Sequence, residues 1–243
     1  MWNDAGALGR LTKWLLLLTV LLLIGTGFAW VYHSDHFPIK QVSIVGKLTR
    51  VDQKELQALA QKHLRGNIFR ADLNEAGEAF GKLPWIDSAQ VVRKVPDKME
   101  IILTERIPVA RWKAGGLVDS KGNIFPAEVE DKLPLFEGQP GTGKDMVKHY
   151  QEFTAILEPR NLAVKELVYT PRSAWSVVLE NGVTVRLGRE NETKRLQAFA
   201  RIWPGLLAKN QNRIEYVDMR YKDGFAVRYS KTSEGPSESG SAN

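Results

Sequence analysis

The sequence predicts an α+β protein: one apolar helix, then a small strand-helix-helix-strand-strand unit, then a mainly antiparallel β region carrying two helices. Three observations predict it. Twenty-one consecutive residues, Trp14 to Ser34, carry no permanent charge. Two short stretches of helical spacing then follow between runs that alternate apolar and polar. Beyond residue 107, short apolar runs are separated by Gly and Pro, and only two stretches keep a helical period.

At about 1.5 Å per residue the apolar stretch spans roughly 30 Å, the thickness of a bilayer's hydrocarbon core. A lone segment crosses there only as a helix, because lipid offers the backbone no hydrogen-bond partners. Trp14, Trp30 and Tyr32 stand near its ends, where amphipathic rings prefer the headgroup level. Arg10 and Lys13 precede the span, and the next cation after it is Lys40. The positive-inside rule keeps residues 1–13 in the cytoplasm, makes 14–34 the transmembrane helix and sends the remainder across. A cleaved signal peptide is the competing reading, with Gly27-Phe28-Ala29 offering small residues at a cut. The length of the apolar run, and bulky Phe28 and Trp30, argue against it.

The chain has 243 residues, 43% of them hydrophobic, enough for one large domain or two small ones after the anchor. Cysteine is absent, so no disulfide braces the fold and no thiolate serves as nucleophile or metal ligand. The net charge is +6, but the cations are interspersed, with no Lys/Arg-rich run of the kind that marks a nucleic-acid surface. This charge serves solubility, or attraction to anionic headgroups or an acidic partner.

Residues 37–106 read as one unit. Gln41-Val42-Ser43-Ile44-Val45 alternates until Gly46 breaks it. Val51, Leu56, Leu59, Ala60 and Leu64 recur near helical spacing, with Asp52 placed to cap. Leu73 to Phe80 predicts a second short helix, capped by Asp72 or Asn74. Ala89 to Lys94 and Met99 to Glu105 are strands, joined by Val95-Pro96-Asp97-Lys98 as a turn with Pro second. Such a unit is a small sheet covered on one face by two helices.

Residues 107–230 differ. Val109 to Trp112, Leu117-Val118, Asn123 to Phe125 and Leu133 to Phe136 are short strands, and a helix runs from about Lys144 to Leu157. Leu162 to Thr170, Trp175 to Leu179 and Val183 to Leu187 follow, with Asn181-Gly182 predicting a two-residue hairpin. A basic amphipathic helix spans about Glu192 to Ala208, with Leu196, Phe199, Ala200 and Trp203 inward and Pro204 kinking or shortening it. Arg213 to Tyr221, an Asp223-Gly224 turn and Phe225 to Tyr229 complete the unit. The last strand has no successor to pair with. Residues 231–243 are Ser-, Gly- and Glu-rich without a large apolar residue, the composition of a disordered tail.

No catalytic chemistry emerges. Gly138-Gln139-Pro140-Gly141-Thr142-Gly143-Lys144-Asp145 matches a phosphate loop through seven positions, but Asp145 stands where a hydroxyl should ligate magnesium. Thr142 and Asp145 read instead as a capping box. His33 and His36 flank the membrane exit, His63 ends a helix, and His149 sits three residues before Glu152; each reads as a surface histidine, with no cofactor or metal site implied. No Gly-x-Ser-x-Gly elbow is present. Paired carboxylates are invisible in a sequence, and no stretch argues for them. The chain reads as a binding protein rather than an enzyme, with no nucleic acid and no small-molecule substrate.

Leu83-Pro84-Trp85-Ile86, Val91-Val92-Arg93-Lys94-Val95-Pro96-Asp97 and Glu105-Arg106-Ile107-Pro108-Val109-Ala110-Arg111-Trp112 resemble the bacterial FtsQ/DivIB cell-division family, as do residues 174–189 and 216–229. The resemblance implies a POTRA domain at 37–106, a β domain at 107–230 and a non-enzymatic inner-membrane scaffold of the divisome. That scaffold has a cytoplasmic N-terminus, a periplasmic C-terminal domain and a place at the septum. It further implies recruitment of an FtsB–FtsL pair, with FtsB adding a strand to the last strand of the β domain, and links to FtsK, FtsW and FtsI. Carried over by position, the FtsB-side surface is Arg172, Arg220, Tyr221, Asp223, Gly224, Phe225, Ala226, Val227, Arg228 and Tyr229. Arg172 and Arg220 pair with partner acids, and Tyr221 acts as an aromatic anchor. Gln41, Val42, Ser43, Ile44 and Val45 resemble the FtsK-side surface. Two other readings stand beside it: a membrane-anchored peptidoglycan enzyme or its activator, and a chaperone-like POTRA module.

Overall fold

The computed structural model describes residues 5–34, 36–222 and 224–230. The chain forms two compact units, divided after Arg106.

The first unit begins with helix α1 (Ala5–His33). Within it, Gly9–His33 is long and apolar enough to cross a membrane, and its side chains are exposed to the surroundings. The hydroxyls of Thr19 and Thr26 donate to Leu15 O and Leu22 O at 2.8 and 2.9 Å, so both hydroxyls are satisfied by their own helix.

Next come β1 (Gln41–Val45), α2 (Gln53–His63), α3 (Leu73–Gly81), β2 (Ile86–Lys94) and β3 (Lys98–Glu105). β3 is central, parallel to β1 and antiparallel to β2. Its Met99, Ile101 and Leu103 alternate inward onto Leu56, Ala60, Ala76 and Phe80 of the two helices. Asp52 accepts Lys54 N–H, and Asp72, rather than Asn74, caps α3 through Asn74 N–H and Glu75 N–H. β2 starts three residues earlier than the alternation predicts. Because Lys94 pairs with Lys98, the β2–β3 loop is Val95-Pro96-Asp97, with the Val95–Pro96 bond cis, in place of the expected ordinary turn. At Gly46, φ is +152° and a Cβ would collide with Leu103 O, so only glycine ends β1 so close to β3.

The second unit holds β4 (Pro108–Trp112), β5 (Leu117–Asp119), β6 (Ile124–Phe125), β7 (Leu135–Glu137), α4 (Gly143–Leu157), β8 (Val164–Tyr169), β9 (Trp175–Leu179), β10 (Thr184–Gly188), α5 (Glu192–Ile202), β11 (Ile214–Asp218) and β12 (Ala226–Tyr229). The sheet order is β12-β11-β10-β9-β8-β7-β4-β5-β6. The sheet is mixed. β7·β8 and β10·β11, the two pairs joined through helices, are parallel, as is β4·β7, while every hairpin pair is antiparallel. The two helical crossovers leave strands that run the same way and step in the same direction. Right-handed connections therefore put α4 and α5 on one face. There Met146, Phe153, Leu157, Leu196, Phe199 and Trp203 cover the inward residues Leu167, Val177, Val185 and Val217.

Several expectations are corrected here. Glu180-Asn181-Gly182 is a three-residue loop, because Gly182 N–H returns to Leu179 O while Leu179 N–H donates to Val183 O, with Gly182 at φ +88°. α5 ends at Ile202, before Pro204; a wide π turn and a 3-10 segment carry the chain to Arg213. Thr142 forms no capping box: its backbone is helical and its hydroxyl donates to Gln139 O at 2.7 Å. Its glycine neighbour Gly143 packs against the turn at Gly122, where a Cβ on either residue would strike the other's backbone. The phosphate-loop look-alike is therefore a close-packed corner. His149 is half-buried rather than a surface residue, stacked on Trp175 at 4.1 Å and 3.3 Å from Glu192 on α5.

Candidate partner-binding edge

Strand β12 pairs antiparallel with β11, with Val217 opposite Val227 and Asp218 opposite Ala226. Among the described residues it has no neighbour on its other side. Val227 and Phe225 rest on the core beneath α5. Arg228 lies on the outer face, 3.1 Å from Glu215 and over the Tyr216 ring, which Arg186 covers more closely at 3.8 Å. Tyr229 is exposed at the strand's end. Phe225 precedes the strand instead of opening it, and Asp223 lies outside the described residues.

β11 stops at Asp218 for a local reason. The buried Asp218 carboxylate accepts Arg220 N–H at 3.1 Å, turning the chain, and grips the Arg220 guanidinium through Nε at 2.9 and 3.1 Å and Nη2 at 2.6 Å. This grip holds the Asp218 carboxyl below its ordinary pKa against the opposing effect of burial, and raises that of Arg220. Arg220 is therefore committed within the chain, yet its side chain remains 57% exposed, with unused donors for a second acid.

Arg172 sits in the turn Thr170–Ser173, which closes through Ser173 N–H to Thr170 O at 2.9 Å. Although 48 residues apart in sequence, Arg172 and Arg220 line one open cleft of about 410 Å³. Arg189, Arg195 and a single acid, Glu190, line it too, so the cleft suits carboxylates. Arg195 is a residue the sequence reading missed. From α5 it donates to Leu187 O at 2.6 Å and to Arg220 O at 3.3 Å, tying the helix to the turn that carries Arg220. Asp218 was missed as well; its signal is the Asp-x-Arg spacing, in which an aspartate carboxylate accepts the backbone N–H two residues on and turns the chain.

Beside this cleft lies a second, of about 390 Å³, where Tyr221, Phe225, Met219, Ala198 and Ile202 meet Lys194 and Arg195. Tyr221 is 62% exposed, so it is not a core residue. Gly224 lines the same cleft. An apolar floor beside a cationic cleft, both next to a free strand edge, can receive an extended acidic peptide with an apolar side chain.

In the first unit, Gln41, Val42, Ser43, Ile44 and Val45 form β1, an edge strand paired only with β3 among the described residues. A groove of about 570 Å³ runs beside it, lined by Ile39, Val42, Ile44, Ala60 and Leu64. Among the described residues no His, Asp and Glu side chains cluster as a metal site.

These features define a class: a protein with one apolar helix long enough to cross a membrane and two β-containing units, each with a strand edge that is unpaired among the described residues. The family models "POTRA domain, FtsQ-type" and "Cell division protein FtsQ/DivIB, C-terminal" match residues 37–106 and 110–220. The chain is similar to cell division proteins FtsQ of Neisseria gonorrhoeae (52% identical, covering 94% of this chain and 95% of that one), Nitrosospira multiformis (34%, 94% and 99%) and Burkholderia pseudomallei (33%, 94% and 94%). The chain belongs to the FtsQ/DivIB family of bacterial cell-division proteins, which are non-enzymatic members of the divisome. Membership implies work at the division site among divisome partners.

Proposed function

We propose that this chain is a single-pass inner-membrane scaffold that recruits an FtsB–FtsL pair by strand addition to β12, and links it to FtsK, FtsW and FtsI. Residues 1–13 are the cytoplasmic tail, 14–34 the span, 37–106 the POTRA domain and 107–230 the β domain, with everything after the span periplasmic; the tail expected at 231–243 lies outside the described residues. The observation that carries the reading is the outer edge of β12, which pairs with no other strand among the described residues. Main-chain hydrogen bonds along that edge supply affinity, and side-chain pockets supply specificity. The Arg172–Arg220 cleft takes acidic side chains of the FtsB strand, and Tyr221 with Phe225 receives an apolar one. Gly224, Ala226, Val227, Arg228 and Tyr229 form the contact ribbon; Asp223, proposed for the same surface, lies outside the described residues. Gln41 to Val45 form a second recruiting edge, for FtsK.

Hydrogen exchange of the full chain, with and without FtsB–FtsL, tests this. Binding should slow exchange at residues 226–229 and leave the opposite edge, β6, unchanged. Protection confined to other segments would refute strand addition at β12.

A further inference from the structure

Residues 65–70, between α2 and α3, are tied to the end of the apolar helix. The buried Asn67 amide donates to Val31 O at 3.0 Å and Ser34 O at 2.6 Å, and its Oδ1 accepts Phe69 N–H at 2.7 Å. The last carbonyls of a helix lack intrahelical partners, so this side chain satisfies one of them, Val31 O, together with the Ser34 carbonyl just beyond the helix, and fixes the height of the loop. Main-chain bonds reinforce the link: Ile68 N–H to Phe37 O and Ile39 N–H to Gly66 O, both 2.9 Å. Phe37 and Phe69 meet edge to face at 5.5 Å. Trp30 and Tyr32 are exposed on the same last turns of α1, at headgroup depth for a spanning helix. The loop therefore lies at that depth too.

Arg65 and Arg70 flank Asn67. Both are exposed, and neither forms an ion pair among the described residues. Among the described residues, three acids of this unit are engaged elsewhere: Asp72 caps α3, Glu75 meets His63 at 3.2 Å, and Asp97 meets Lys40 at 3.5 Å. Two unpaired guanidinium groups held at headgroup level match the geometry and charge of lipid phosphates.

We propose that the 65–70 loop is a headgroup-binding surface, in which Asn67 holds the loop at the membrane exit and Arg65 and Arg70 take the phosphates of anionic phospholipids. The proposal rests on the membrane-anchor reading. It gives the first unit a defined stance on the bilayer in place of a free tether.

The chain has no cysteine, so Gln61→Cys, on the exposed face of α2, provides one labelling site. The full chain carries a fluorophore there, in nanodiscs of phosphatidylcholine alone or mixed equally with phosphatidylglycerol, with a headgroup spin label as quencher. Phosphatidylglycerol should raise quenching, and salt should reverse the rise. Arg65→Gln with Arg70→Gln should lower the docked-to-undocked ratio by roughly 25-fold, about fivefold per cation. The corresponding Lys pair should keep most of the effect. Asn67→Ala should lower quenching in both lipids. Equal quenching in the two lipids, no loss in the double Gln variant, or no change with Asn67→Ala would each overturn the proposal. A chain that does not co-purify with the discs would instead refute the anchor.

Discussion

Proline at Ala226 or Val227 tests the strand-addition reading at the level of single hydrogen bonds. Adjacent residues of a strand direct their amides to opposite sides, so one of these two N–H groups faces β11 and the other faces outward. A strand added over the four residues of β12 exchanges about four main-chain hydrogen bonds, each worth about 1 kcal/mol net. Proline at the outward position deletes one donor and leaves the partner's carbonyl without one, a loss of about 1–3 kcal/mol, or roughly 5- to 150-fold in affinity. Proline at the inward position breaks the β11 ladder and lowers stability by a similar amount. The two variants should separate: one binds weakly and melts like wild type, while the other melts early. Calorimetric titration with the extracytoplasmic part of FtsB–FtsL and thermal melts of each variant measure this. If both variants fold and both bind as wild type does, β12 is not the acceptor edge.

Charge reversal at Arg220 would set a glutamate against the buried Asp218, so Arg172→Glu is the cleaner probe of the arginine cleft; it should weaken binding by about 1–3 kcal/mol in a pull-down or titration without moving the melting temperature. Asp218→Ala should destabilise the second unit by about 1–2 kcal/mol in urea unfolding, the value being discounted because Arg220 is more than half exposed. The lowered pKa of Asp218 gives this contribution a pH signature: it is fully present above the unfolded value of about 3.9 and is lost as pH falls through the lower folded value. Melts of wild type should therefore weaken in that acid range, and Asp218→Asn should show a smaller pH dependence there. Gly143→Ala should cost about 1–3 kcal/mol in thermal unfolding, because the new methyl group meets the Gly122 backbone.

The parts of the fold written in local periods were legible in the sequence. Val51 to Leu64 and Leu73 to Phe80 carry their helix in the apolar spacing and their starts in Asp52 and Asp72. The alternation of Met99, Ile101 and Leu103 fixes the inner face of β3. What was hidden depends on which segments become neighbours. No run of residues announces that β7 and β8, or β10 and β11, lie parallel, because that follows from crossovers through α4 and α5. Nor does the sequence show that Arg172, Arg189, Arg195 and Arg220 meet, since they come from two turns, a loop and a helix. Arg220 could be named from a family resemblance, but its grip on Asp218 could not. Asn67 gave no signal at all: its role appears only when α1 ends beside it.

The two ends of the long sheet are built differently, and the contrast bears on function. At one end β6 has two residues, Ile124 and Phe125, too short to template another chain, a common defence of an edge. At the other end β12 keeps four, its side chains anchored inward by Val227 and outward by Arg228 over Tyr216. Its edge carries no proline, and basic and aromatic groups from α5, β11 and the Thr170–Ser173 turn surround it. An open edge of this length is an aggregation liability unless something covers it. The Asp218–Arg220 hydrogen bonds tie down the approach to that edge, which would lower the ordering cost of the proposed strand addition. A sheet that closes one end by brevity and, among the described residues, leaves the other unpaired and framed by arginine supports the proposal that its next strand comes from another polypeptide.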